Sequence, residues 1–122
     1  MITLYLAGPF RGKDGYAVYQ NVICAESFMH EITKASIEAG EPISCMCPHS
    51  MTFHLDRTFT DKYWLDSTME WLIRSDAVFM LPSWQKSEGA RGELEMGRKL
   101  GKPIFYTIPE VIIWAKEVQC NA

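Results

Sequence analysis

At 122 residues, 48% of them apolar, the chain has the size of one domain around one packed core. Its net charge of −3 arises from 12 basic and 15 acidic residues with no basic block, which argues against a dedicated binder of DNA or RNA polymers. No apolar run approaches the roughly 18 residues that a membrane-spanning helix needs.

Ile2 to Ala7 is a short apolar run stopped by Gly8-Pro9, and it reads as a buried strand rather than a signal peptide, since no basic leader precedes it. A cytoplasmic location is expected, with Cys24, Cys45, Cys47 and Cys120 as free thiols. Gly8 to Gly15 is a loop. A helix follows, with Val18, Val22, Ala25, Met29 and Ile32 at helical spacing, and Gly40 closes it. Pro42 to Met46 is the second strand, and residues 47–60 read as irregular. A second helix covers about Asp61 to Arg74, with Leu65, Met69 and Leu72 as its inner stripe. Ala77 to Leu81 is the third strand, continuous and apolar as in a sheet covered on both faces. Pro82 to Ser87 is a loop, and a third helix runs from about Glu88 to Leu100. Ile104 to Tyr106 is a fourth strand. Pro109 opens a last helix with Val111, Trp114, Ala115 and Val118 inward.

Strands alternating with helices call for a parallel sheet with right-handed crossovers. The expectation is a single α/β domain over residues 1–122, a Rossmann-like three-layer sandwich with strand order 2-1-3-4. Ligands in such sheets bind at the carboxyl ends of strands where the order reverses, here between strands 1 and 3.

The two loops at that switch point carry the chemistry. Gly8-Pro9-Phe10-Arg11-Gly12 offers glycines for close backbone approach and an arginine for bidentate phosphate contact, or it is a polar turn with a solvated arginine. Neither the dinucleotide glycine fingerprint nor a Walker loop is present. After strand 3, Ser87 suits an N-cap, and the free N–H groups behind it suit an anion. Gly89 and Gly92 fall in the first helical turns, where each glycine costs roughly 1 kcal/mol relative to alanine. Close approach of a ligand accounts for that cost.

Helical phase separates two glutamates. Glu95 lies beside Arg91, Arg98 and Lys99 on the solvated face, whereas Glu93 shares the inner face with Met96, Gly97 and Leu100. A buried carboxylate needs a reason. One is a hydrogen bond with Tyr5 for stability alone. The other is covalent catalysis at an anomeric carbon, with Tyr5 orienting the attacking carboxylate.

Tyr5-Leu6-Ala7-Gly8-Pro9-Phe10-Arg11, followed by Ser87-x-Gly89-x-x-x-Glu93, resembles the nucleoside 2-deoxyribosyltransferase-like superfamily. The nearest branches are the 2′-deoxynucleoside 5′-phosphate N-hydrolases and related small phage and bacterial proteins. Glu70-Trp71-Leu72 and Asp76-Ala77-Val78 fit the pattern too, so the resemblance covers about residues 2–106. It implies a flavodoxin-like fold, a homo-oligomer, Glu93 as nucleophile and Tyr5 as its partner. It also implies Arg11, Ser87 and Gly89 as phosphate contacts and no metal or other cofactor, and Gly8 and Phe10 of the strand-1 loop are further candidates for substrate binding. The family's usual acid falls at Thr68, so Asp66, two residues earlier, is the candidate to replace it. Two residues rotate a helical side chain by roughly 200°.

Cys45-x-Cys47-x-His49 lacks the second ligand pair of a zinc site. His49 is a candidate base contact and Trp84 a candidate to stack on one. Asp76 reads as a turn and capping residue. The expected activity is hydrolysis of the N-glycosidic bond of a (deoxy)nucleoside 5′-monophosphate. Deoxyribosyl transfer between bases and nucleotide binding without turnover are the alternatives. The partner is a small molecule, not a nucleic-acid polymer or a membrane.

Overall fold

The computed structural model of the chain describes residues 1–120. Its elements are β1 (Ile2–Ala7), α1 (Gly15–Glu38), β2 (Ile43–Met46), α2 (Pro48–Thr52), α3 (Asp61–Arg74), β3 (Ala77–Met80), α4 (Glu88–Lys99), β4 (Ile104–Phe105) and α5 (Ile108–Cys120). The four strands form one parallel sheet in the order β2-β1-β3-β4. β1 thus pairs with β2 on one side and β3 on the other, which makes the β1–β3 boundary the switch point.

Alternation along the strands sorts the core into two layers. Leu4 and Leu6 of β1 and Phe79 of β3 pack with Ala25 and Ile32 of α1 and with Val111 and Ala115 of α5. Tyr5 and Ala7, with Val78 and Met80, face the other way and pack with Leu72 of α3 and Ala90 and Leu94 of α4. The result is a flavodoxin-like three-layer sandwich. Helix ends follow the side chains available. Asp14 caps α1 by accepting from Ala17 N at 2.9 Å, and Thr60 caps α3 by accepting from Tyr63 N at 3.1 Å.

Several local expectations are corrected. Leu65 is 53% exposed and Val118 is 40% exposed, so neither belongs to an inner stripe. Each helix packs only one narrow face on the sheet, and these residues sit at its margins. Leu100, expected on the inner face with Glu93, is also exposed, because α4 has ended and the chain turns away there. β4 holds only two residues and leaves Tyr106 outside it. The expected irregular stretch contains α2 and a 3-10 turn over Phe53–Leu55. Proline in the first turn of α2 needs no donor there, which is how a helix begins directly after β2. Among the described residues, no helix is long and apolar enough to cross a membrane.

Candidate active site

Tyr5 lies near the carboxyl end of β1 and is fully buried, its ring in the layer beneath α3 and α4. Glu93 reaches it from α4. Ala90, Leu94 and Gly97 form the buried face of that helix, and Glu93 stands within this arc, three residues after Ala90 and four before Gly97. Gly97 sets the distance. A Cβ there would lie 2.9 Å from Ile104 Cδ1 and 3.3 Å from Val78 Cγ2, so glycine lets α4 sit this low on the sheet without displacing those side chains. With the helix so close, the Tyr5 hydroxyl donates to Glu93 Oε2.

Burial governs the electrostatics of the pair. Glu93 as a residue keeps partial exposure, but its carboxyl group, the part that titrates, is packed among protein atoms against Tyr5. Desolvation raises its pKa from 4.5 to about 7, against the opposing pull of the Tyr5 hydrogen bond. The Tyr5 phenol is raised well above its ordinary value, by burial first and by the neighbouring Glu93 charge second. Near neutral pH the site therefore holds a carboxylate balanced between its two protonation states, beside a phenol that keeps its proton.

One face of α3 forms a wall of the site. Asp61, Leu65, Thr68 and Leu72 recur at steps of four, three and four. Leu72 is buried in the core, and the Thr68 hydroxyl, on the side of the helix toward Tyr5, donates to Leu65 O at 3.2 Å. Leu65 Cδ2 lies 3.9 Å from the Cβ position of Gly89 at the start of α4. Asp61 pairs with Arg11. Asp66 is not brought to this group. Its side chain is exposed and pairs with Lys62 Nζ at 2.6 Å, on another face of the helix.

The loops at the switch point depart from a simple ligand cradle. The Arg11 guanidinium is engaged by Asp56 and Asp61, and it lies 5.6 Å from the Phe10 ring centroid. Both terminal nitrogens of Arg11 are therefore paired with carboxylates of the protein itself. Gly8 answers to the protein itself, since a Cβ there would fall 2.6 Å from Leu81 Cβ, where the two loops touch. Ser87 caps α4 by accepting from Ala90 N at 3.1 Å. Gly89 has only ordinary contacts and Gly92 has nothing within 4 Å of its Cβ position, so the protein does not require glycine at either. Trp84 packs on Tyr106, ring centroids 6.0 Å apart, and partly on the core beside Tyr5.

His49 is 4% exposed and its Nε2 lies 3.2 Å from Gly8 O and 3.0 Å from Pro9 O. It is thereby turned toward the β1 loop. The metal-like run of Cys45, Cys47 and His49 does not gather around one point, and among the described residues no three His, Cys, Asp or Glu side chains do. Asp76 accepts from Thr3 N at 2.8 Å and Thr3 Oγ1 at 2.9 Å, a strand-end clamp far from Glu93.

The sequence reading missed Asp56 and Asp61 as partners of Arg11, Thr68 as the group facing Tyr5, and Gly97 as the spacer. Thr68 was legible from the step of four between it and Leu72. The aspartates were not, because ion pairs across 45 and 50 residues leave no local pattern. No curated protein matches the chain. A family model does match, over residues 2–106, and the chain belongs to that family, described as Domain of unknown function (DUF4406).

Proposed function

We propose that the protein cleaves the N-glycosidic bond of a nucleoside 5′-monophosphate, with Glu93 as nucleophile. The observation that carries this reading is the buried Tyr5–Glu93 pair at the sheet's switch point. Its arrangement is the one implied by the resemblance to nucleoside 2-deoxyribosyltransferase-like proteins. In the ionised form, a Glu93 oxygen attacks C1′ as the C1′–N bond breaks, and the bonding pair leaves with the base, which takes a proton from solvent. Water then hydrolyses the glycosyl ester, releasing the sugar phosphate and one proton and restoring the carboxylate. The sum is one water consumed. The Tyr5 hydroxyl holds the carboxylate in the attacking orientation and stays protonated throughout. Ser87 and the first turn of α4 offer N–H groups to the phosphate, and Trp84 borders the base.

Thr68 favours a second reading. A hydroxyl that keeps its proton, rather than a carboxylic acid, faces Tyr5 where the resembled enzymes activate the leaving base, which fits a protein that binds nucleotide without turnover. A cytoplasmic homo-oligomer completes the proposal. Four free thiols among the described residues fit a reducing compartment, and light scattering after gel filtration tests the assembly.

The test incubates the protein with ribo- and deoxyribonucleoside 5′-monophosphates and follows free base by chromatography. Base released by the wild type and lost in Glu93→Ala supports cleavage. Tight binding with no release by folded protein moves the assignment to the binding role. Exchange between two supplied bases, rather than net release, identifies a transferase.

A further inference from the structure

The strand-1 loop is held by two side chains from outside it. His49 Nε2 contacts the carbonyl oxygens of Gly8 and Pro9 at 3.2 and 3.0 Å. Asn21 Nδ2, from α1, donates to those of Phe10 and Arg11 at 3.0 and 3.3 Å. Four consecutive carbonyls, residues 8 to 11, are thus taken up by one imidazole and one amide. Carbonyl oxygens only accept, so His49 carries its proton on Nε2 and presents a bare Nδ1. That Nδ1 is buried with no partner among the described residues. An unsatisfied buried polar atom costs about 1–3 kcal/mol. An apolar side chain in this place avoids that cost, so the ring is best explained by what its Nε2 does for the loop.

No peptide bond here is cis, and in a trans peptide the N–H points opposite to the carbonyl of the same unit. Holding the carbonyls of Pro9, Phe10 and Arg11 toward α1 and α2 therefore turns the N–H groups of Phe10, Arg11 and Gly12 away from those helices. The loop becomes a short row of backbone donors, suited to an acceptor-rich group.

We infer that His49 and Asn21 are positioning residues: they fix the Gly8–Gly12 loop so that its N–H groups receive the phosphate of the substrate. This rests on the nucleotide reading above for the identity of the ligand, but the shaping of the loop does not. Burial also lowers the pKa of His49, which favours the neutral ring, and Nε2 keeps its proton in that tautomer as it does in the cation.

The experiment uses the full chain carrying Glu93→Gln, which removes the proposed nucleophile so that binding is read apart from turnover. Affinity is measured for 2′-deoxynucleoside 5′-monophosphates, for the matching nucleosides and for inorganic phosphate, and amide order parameters are recorded for Phe10, Arg11 and Gly12. Adding His49→Ala or Asn21→Ala is expected to lower the order parameters from about 0.85 to below about 0.6. Both variants are expected to weaken the monophosphates by about tenfold while leaving nucleosides within about threefold. His49→Gln, whose amide N–H reaches the same carbonyls, restores both quantities. A merely structural role predicts equal losses for nucleoside and nucleotide in step with thermal stability. Equal losses, unchanged order parameters, or a glutamine variant as impaired as alanine while folded would each overturn the inference. Loosened loops in a protein that binds none of the probes would remove the nucleotide reading and, with it, the phosphate as the loop's ligand.

Discussion

The two ends of the sheet treat a carboxylate in opposite ways. At the amino end, Asp76 accepts two hydrogen bonds from Thr3 in an exposed setting, beside a cleft of about 520 Å3 lined by Ile2, Pro103 and Trp114. At the carboxyl end, Glu93 accepts one hydrogen bond, from Tyr5, in a buried setting. On the proposed reading the chemistry lies at the carboxyl end and not in this cleft. A carboxylate held by two local donors and open to water fastens a strand end, whereas a carboxylate with one donor and little water is the one suited to react. Burial and donor count, more than cavity size, separate a structural acid from a candidate nucleophile.

Exchanging the two acids breaks this comparison most directly. Glu93→Ala is expected to lower base release by at least about a thousandfold, as removal of a covalent nucleophile does. Asp76→Ala is expected to cost about 1–2 kcal/mol of stability and to leave kcat/KM within about threefold. Rate assays beside urea denaturation read both. An Asp76→Ala enzyme as inactive as Glu93→Ala, at full stability, would reverse the roles of the two ends. Tyr5→Phe is the next largest, with kcat falling about 10- to 100-fold from lost orientation. Because the phenol hydrogen bond favours the ionised carboxylate, its removal moves the activity midpoint upward from about 7. A pH–rate profile that stays in place shows that Tyr5 does not act on Glu93.

The same burial leaves a mark on stability. Between pH 4.5 and about 7 the folded protein binds the Glu93 proton more tightly than the unfolded chain does. Stability therefore falls as pH rises through that window and levels off above it. Glu93→Gln carries no titrating group, so it is expected to match the wild type near pH 4 and to exceed it by up to roughly 3 kcal/mol near pH 8. His49 titrates equally in both proteins and cancels from the difference. A difference that does not grow with pH means that solvent reaches the carboxyl group.

How much of this was legible in the sequence follows from the range of the interactions. Period-two and period-3.6 patterns are local, so β1, α1, α3 and α4 were found close to their true bounds, and the strand order followed from the βα alternation. The inward phase of Glu93 was equally local. Leu65 and Val118 were placed inward on periodicity alone, which marks an apolar stripe but not how wide a face the sheet covers. The role of His49 was hidden, because the carbonyls it serves lie 40 and 41 residues away and carry no side-chain signature. Only folding shows that Gly8 meets Leu81.

The smallest expected effects come from two glycines on one helix that look alike in sequence. Gly97→Ala puts a methyl against Ile104 and Val78, so those side chains or α4 must shift, and overpacking of this kind costs about 1–3 kcal/mol. Where α4 is the part that moves, Glu93 is drawn away from Tyr5, and kcat is expected to fall with stability; a kcat that holds while stability falls means that the side chains moved instead. Gly92→Ala meets no protein atom within 4 Å and adopts helical backbone without strain. It is expected to stabilise the fold by about 0.5–1 kcal/mol through helix propensity. Since Gly92 immediately precedes Glu93, its open space belongs to the substrate on the nucleotide reading, and the methyl is then expected to raise KM severalfold while the protein becomes more stable. Thermal melts and Michaelis profiles of the single variant separate the cases. A stabilised protein with unchanged KM places that space in solvent, outside the path of the ligand.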